Sequence, residues 1–274
     1  MKFATIRTPE GNRAVRKDGD VLVDLGYSDL GELMADTSLA AATPTGPTWS
    51  LEGADFAPTV PSPAKVVCVG HNYRNHILEM KRDLPTYPTL FTKFASTLIG
   101  PYDDIVKPDE TDALDWEVEL TVVVGDRVRR ATEAQATAAI AGFTIMNDIS
   151  MRDWQFRTIE WTQGKIWDSS TPVGPWLVTP DELPGGVRPA VAVRTTVDEQ
   201  VMQNDDTGTL LFDPVYLVQY VSTLVELRPG DLIATGTPAG VGHAREPKNY
   251  LRGGETVTTE IENIGRCINR IVKE

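Results

Sequence analysis

Apolar residues along this chain fall into short runs rich in β-branched side chains, separated by Gly, Pro and Asp turns. Runs at 65–69, 116–124, 140–147, 189–198, 231–235 and 255–262 predict strands. Helical patterns are fewer: an Ala-rich stretch at 132–139, and 211–223, where apolar residues recur at roughly helical spacing. Residues 1–63 read as a smaller unit, with short strands at 3–7 and 20–24, the turn Glu10-Gly11-Asn12 between them, and a short helix within 28–42. Ala42-Thr43-Pro44-Thr45-Gly46-Pro47 reads as loop, and Pro58 with Pro61-Ser62-Pro63 marks a boundary. The expected organisation is a small N-terminal α+β domain over 1–63 and a larger domain over 64–274. The larger domain has the texture of an α+β fold dominated by a mixed or mostly antiparallel, rolled sheet, because it lacks a βαβα rhythm.

Composition narrows the function. With 274 residues, 41% hydrophobic and 24% charged, the chain is long enough for a sizeable core and ordinary for a soluble protein. A net charge of −13 and a pI near 4.7 disfavour nucleic acid and anionic membrane as partners. The start, Met1-Lys2-Phe3-Ala4-Thr5-Ile6-Arg7, has no signal-peptide core, and no apolar run approaches membrane-spanning length. Two cysteines are too few for a disulfide scaffold. A cytoplasmic enzyme acting on a small molecule fits these facts.

One run breaks the apolar pattern in an informative way: Asp115-Trp116-Glu117-Val118-Glu119-Leu120-Thr121-Val122-Val123-Val124. Side chains alternate along a strand, so Glu117 and Glu119 share one face and Val118, Leu120 and Val122 the other. Two readings are open: an edge strand whose polar face is wet, or a pair of acids neutralised by a cation. A third acid, Asp148, ends the strand-like run at 140–147. Three oxygen ligands without Cys or His suit a hard divalent ion, Mg²⁺ or Mn²⁺, with Ca²⁺ a weaker substitute. Such a site leaves coordination positions open for water or a chelating substrate.

Other residues offer companion chemistry. His76 and Glu79 stand three apart in a helix-like stretch after the first strand of the larger domain. They form either a water-activating dyad or an ordinary exposed pair. Lys93 and Lys165 are lone lysines among apolar or small residues. Each is either a surface lysine or a holder of substrate oxygen. Arg152 and Gln155 follow Asp148 closely. Arg152 suits a bidentate grip on a carboxylate, or a structural bridge to Asp153 or Glu160. The loop from Gly236 and Thr237 to Gly242 is too unlike a phosphate loop to mean more than a tight turn by itself.

Taken in order, these segments carry a resemblance. Val69-Gly70-His71-Asn72-Tyr73-Arg74-Asn75-His76, Leu90-Phe91-Thr92-Lys93, Trp116-Glu117-Val118-Glu119-Leu120, Asn147 through Gln155, Gly164-Lys165 and Ala234 through Gly242 resemble the motifs of the fumarylacetoacetate hydrolase superfamily over residues 64–272. The resemblance implies the family's β-roll with flanking helices, usually a homodimer. Glu117, Glu119 and Asp148 would bind Mg²⁺ or Mn²⁺, and His76 with Glu79 would supply the water-activating dyad on a lid. Lys165 and Gln155 would polarise substrate oxygens, and Lys93, Arg152, Gly236 and Thr237 would face the substrate's polar ends. The implied reaction is hydrolysis of a C–C bond in an acylpyruvate-like 2,4-dioxo acid such as fumarylpyruvate, in aromatic or organic acid catabolism. A 2-hydroxyhepta-2,4-diene-1,7-dioate-type isomerase and an oxaloacetate decarboxylase are alternatives on the same site, and a non-catalytic metal or ligand binder is a further one. Relatives often carry Ser-Phe-Asp after the lysine, where this chain has Ile166-Trp167-Asp168, and Phe94 stands where Pro is frequent. Those changes reshape the pocket rather than the acids.

Overall fold

The computed structural model describes residues 1–44, 46–74, 77 and 83–274. The chain opens on the meander β1 (Lys2–Thr8), β2 (Gly11–Asp18) and β3 (Val21–Asp24), followed by helix α1 (Leu30–Asp36), β4 (Thr48–Ser50) and β5 (Asp55–Phe56). Sequence patterning leaves β2 unread because only Ala14 and Val15 of that strand are buried, too short an alternation to register. Asp29 caps α1 by accepting from the Glu32 amide, and the helix is shorter than the 28–42 span expected for it.

The rest is mostly strand. In order come β6 (Val66–Gly70), β7 (Thr89–Lys93), β8 (Leu98–Ile99), β9 (Ile105–Lys107), β10 (Leu114–Asp115) and β11 (Val118–Val124). Helix α2 (Glu133–Ala138) precedes β12 (Ile140–Asn147), β13 (Ser150–Met151), the one-turn helix α3 (Arg152–Gln155) and β14 (Thr171–Val178). β15 (Ala192–Val197) and β16 (Gln200–Asp206) form a hairpin, then α4 (Pro214–Leu224), β17 (Leu232–Ala234), β18 (Thr256–Ile261) and β19 (Gly265–Lys273) close the chain. β14 escaped prediction because Pro172, Gly174 and Pro175 interrupt it and read as loop.

Two sheets carry the fold. The larger runs β4-β3-β2-β1-β14-β12-β11-β17-β6-β7, with β5 and β8 added beside β1 and β14. It is mixed: β17 lies parallel to β6, while β11 is antiparallel to both its neighbours. β1 pairs with β14 through Lys2↔Val178 and Phe3↔Leu177, so the leading meander extends the same sheet. The smaller sheet, β16-β15-β18-β19-β9, packs against one face of the larger one. This is a mixed α+β architecture, mostly sheet with few helices. Among the described residues no helix is long and apolar enough to cross a membrane.

β11 bears Glu119 and begins one residue after Glu117. It lies between β12 and β17 and is buried along its whole length, so it is not a wet edge. Val118, Leu120, Val122 and Val124 face a core shared with Val193, Ile261 and the apolar side of α4, including Val215, Val218 and Val221. Thr121, Val123 and Glu119 point the other way, where Val123 joins a second core with Cys68, Met146 and Leu232.

Asn72 ties the strand ends to α4. Its buried amide donates to the carbonyls of Phe212 (2.9 Å) and Thr235 (2.8 Å), and its Oδ1 accepts from the Phe212 amide (2.8 Å). Replacing it leaves backbone groups unmatched, at about 1–3 kcal/mol for each group left dry. Asn72→Ala is expected to lower unfolding stability by roughly 3 kcal/mol in urea titration. A loss below about 0.5 kcal/mol would mean that water takes over these bonds.

Candidate metal centre and its cavity

The ladder between β11 and β12 sets the site. Its last pairs are Val118↔Asn147 and Glu119↔Met146, and the Asp148 amide then donates to the Glu117 carbonyl (2.8 Å). Glu117 and Asp148 therefore face each other across the strand ends. Asn147 fixes the exit by accepting the Glu117 amide on its side-chain oxygen (3.0 Å). β17 brings the third side: the Gly236 amide donates to Glu119 Oε2 (2.8 Å), and Thr237 Oγ1 donates to the Val118 carbonyl (3.0 Å). Gly236 has φ +99°, and a Cβ there would lie 2.9 Å from the Val69 carbonyl oxygen, so only glycine fits.

The result is a buried triad. Glu117, Glu119 and Asp148 each offer a carboxylate oxygen, and these oxygens lie within 4.8 Å of one another. Asp115 continues the alternation of Glu117 and Glu119 and is also fully buried. It accepts the amides of Trp116 (2.9 Å) and Gly242 (2.7 Å) on one oxygen, and that of His243 (2.9 Å) with Arg152 Nε (2.8 Å) on the other.

Three cations are packed into the same cluster. Lys165 Nζ bridges Glu117 (2.7 Å) and Asp148 (2.6 Å). Arg152 pairs with Asp115 and, through Nη2, with Glu117 (2.6 Å), and its Nη1 donates to Gln155 Oε1 (2.9 Å). Lys93 donates to Asp148 Oδ1 (2.8 Å) and to the Ile149 carbonyl (3.1 Å). Expected at a polar end of substrate, Lys93 instead stands behind Asp148, with its side chain at 0% exposure and outside the cavity lining. Thr237 lines the cavity with its hydroxyl donating to the Val118 carbonyl, and the Gly236 amide donates to Glu119.

The charges are unevenly matched. Burial raises the Glu117 carboxyl, but Lys165 and Arg152 outweigh it and hold the group down at about 2. Burial, then Asp148 and Glu117, push the Glu119 carboxyl well above the usual carboxylate range. Among the described residues no cation lies within ion-pair distance of Glu119, whose hydrogen bond comes from a neutral amide. A buried carboxylate beside two others, without a cationic partner of its own, fits a divalent cation. Burial lowers the Lys165 ammonium, yet Asp148 and Glu117 more than offset this, so its proton is held above the usual lysine range.

A cavity of about 580 Å³ opens over Glu117 and Glu119 of the triad. Glu117, Glu119, Lys165, Arg152 and Gln155 form its polar floor and side, and Phe91, Trp161, Phe156 and Ile159 an apolar wall. His76 and Glu79 lie outside the described residues. Sequence reasoning missed Asp115, although the period of two that joins Glu117 to Glu119 reaches it as well. It also gave no role to His243, which lines the cavity.

Comparison with known proteins agrees with this layout. The bovine protein named oxaloacetate tautomerase FAHD2A, mitochondrial, is 43% identical over 219 residues, 79% of this chain and 69% of that one. The solved fumarylacetoacetate hydrolase of Exiguobacterium antarcticum superposes with a TM-score of 0.87 at 32% identity, covering 100% of both chains. A 2-hydroxyhepta-2,4-diene-1,7-dioate isomerase from Mycobacterium marinum gives 0.83 at 30% identity, covering 100% of this chain and 99% of its own. The profile described as fumarylacetoacetate (FAA) hydrolase C-terminal matches residues 65–272, and with the buried acids and the sheet that carries them, it makes this chain a member of the fumarylacetoacetate hydrolase family.

Proposed function

We propose that the chain is an isomerase that interconverts keto and enol forms of a 2-oxo dicarboxylate, with oxaloacetate the leading candidate, at a site loaded with Mg²⁺ or Mn²⁺. The single observation that carries the metal-dependent part is the buried triad in which Glu119 has no cationic partner among the described residues. Preference for tautomerisation over C–C hydrolysis draws on the activity in the bovine relative's name. A divalent ion held by Glu117, Glu119 and Asp148 supplies Lewis acidity toward the keto oxygen of a chelating 2-oxo acid.

The protein's own groups do the rest. In enolisation the C3–H electron pair becomes the C2=C3 bond, its proton leaves to a base, and O2 takes up a proton. Lys165 is a fixed, protonated charge at the cavity wall, placed to stabilise negative charge growing on O2 and to donate toward it. Arg152 engages Gln155 through Oε1, which leaves the Gln155 amide nitrogen as a donor to a substrate oxygen. His76, with Glu79 three residues on in sequence, is the proposed base. Hydrolysis of an acylpyruvate is the second reading, favoured by a cavity of about 580 Å³, roomier than a four-carbon acid requires.

Two experiments test this. A buried carboxyl that must take up a proton at neutral pH, or stay ionised without a partner, destabilises the fold, so Glu119→Gln is expected to raise the metal-free melting temperature by roughly 4 °C or more. The same variant should lose the Mn²⁺-induced rise that the wild-type protein shows. A Glu119→Gln protein that still gains stability from Mn²⁺ at wild-type concentrations would refute the metal assignment. For the reaction, metal-loaded protein should accelerate the decay of enol-oxaloacetate, followed by ultraviolet absorbance. Lys165→Met should slow it by about 10²–10³-fold. Release of pyruvate and a second acid from acylpyruvates, with no effect on the enol, would transfer the assignment to hydrolysis.

A further inference from the structure

His243 sits on the cavity wall, and neither the metal centre nor the proposed isomerisation uses its ring. The ring is held from three sides. Its backbone amide is fixed by Asp115 (2.9 Å), its Nδ1 lies 2.8 Å from the Tyr250 hydroxyl, and the Phe156 ring packs against it with centroids 4.8 Å apart. The turn beneath it is equally tight: a Cβ on Gly242 would fall 1.8 Å from the Asn249 carbonyl oxygen. Through Asp115 and Arg152 the same backbone is tied to Glu117, so the ring keeps a set position relative to the acids.

That position has a chemical use. Burial, with Arg152 and Lys248 nearby, holds the imidazole below its usual range, so at neutral pH the ring is uncharged and carries one N–H. A phenol is a ready donor, and with Tyr250 donating to Nδ1 the ring proton sits on Nε2. Among the described residues Nε2 has no hydrogen-bond partner. Among the described residues that line the cavity, the cations are Lys165 and Arg152, and both are engaged with buried acids.

We propose that His243, oriented by Tyr250, is a specificity-determining residue whose Nε2–H receives the distal carboxylate of the substrate, selecting 2-oxo diacids over 2-oxo monoacids of equal length. The assignment rests on the chelating end of the acid lying at the triad, as in the proposed function.

Calorimetric titration of the Mn²⁺-loaded protein separates the two ideas without relying on turnover. Oxalate probes the metal end alone, while 2-oxoglutarate and 2-oxovalerate share five carbons and differ in whether the far end is carboxylate or methyl. Wild-type protein should prefer 2-oxoglutarate. In His243→Leu the diacid should weaken by about tenfold while 2-oxovalerate and oxalate are unchanged. His243→Gln, which keeps an N–H of similar reach, should recover most of the preference, and Tyr250→Phe should lose part of it. An unchanged diacid-to-monoacid ratio in His243→Leu, or an equal loss for both acids, would overturn the assignment to His243. Absence of oxalate binding to the wild-type protein would overturn the chelating site and this assignment with it.

Discussion

The buried charge cluster is the constraint around which the larger sheet is arranged. Asp115, Glu117, Glu119 and Asp148 meet Lys93, Arg152 and Lys165 in a volume almost closed to water. Charges in such surroundings are tolerated only when each is matched and hydrogen-bonded. Six of the seven are matched to one another, and among the described residues no cation pairs with Glu119. With all four carboxyls ionised the cluster carries one negative charge more than it neutralises, and this excess raises the Glu119 carboxyl. A divalent ion would reverse that excess, and a positively charged pocket is what an anionic acid needs in order to enter a chain whose overall charge is −13.

The sheet order explains how such a cluster can be rigid. A central strand buried on both faces ordinarily carries only apolar residues, and β11 does so from Val122 onward. At its leading end the pattern gives way to acids, where β12 terminates and the segment after β17 crosses in front. Each cation comes from a different element: β7 supplies Lys93, α3 supplies Arg152, and the turn before β14 supplies Lys165. Because the cations and acids come from β7, β11, the end of β12, α3 and the turn before β14, the cluster forms only when these elements have come together. Loss of one cation would leave buried carboxylates facing each other, which couples the integrity of the site to that of the fold.

What the sequence disclosed tracks the range of the interactions involved. Alternation along a single strand is local, so the shared face of Glu117 and Glu119 and the strand-end place of Asp148 were legible. The helices at 133–138 and 214–224 were also legible, from Ala content and spacing, with Thr132 and Asp213 as caps. Strands whose own patterns are broken were not: β14 by its prolines, β2 by its charged residues. The lysines stood open between surface and site because a lone Lys carries no local mark of its partner. Only the long-range pairing with Asp148 and Glu117 distinguishes them, and that pairing sends Lys93 behind the acids and Lys165 to the cavity. Asp115 could have been found by extending the same alternation one step, yet its role depends on amides of a loop more than a hundred residues away.

The position of Asp115 bears on how one fold can host several reactions. One of its oxygens receives the Gly242 amide and the other the His243 amide together with Arg152, which reaches on to Glu117. The floor of the cavity and the loop that walls it are therefore joined through a single buried carboxylate. Residues on the floor are confined by the demand that buried charges be matched. His243 and Ala244 of the loop line the cavity, and side chains there can vary as long as the backbone keeps those two amides on Asp115. Reaction chemistry common to 2-oxo acids can then be held constant by the floor while recognition of the far end changes by single substitutions on the loop, and similarity of fold and acids alone does not fix the substrate.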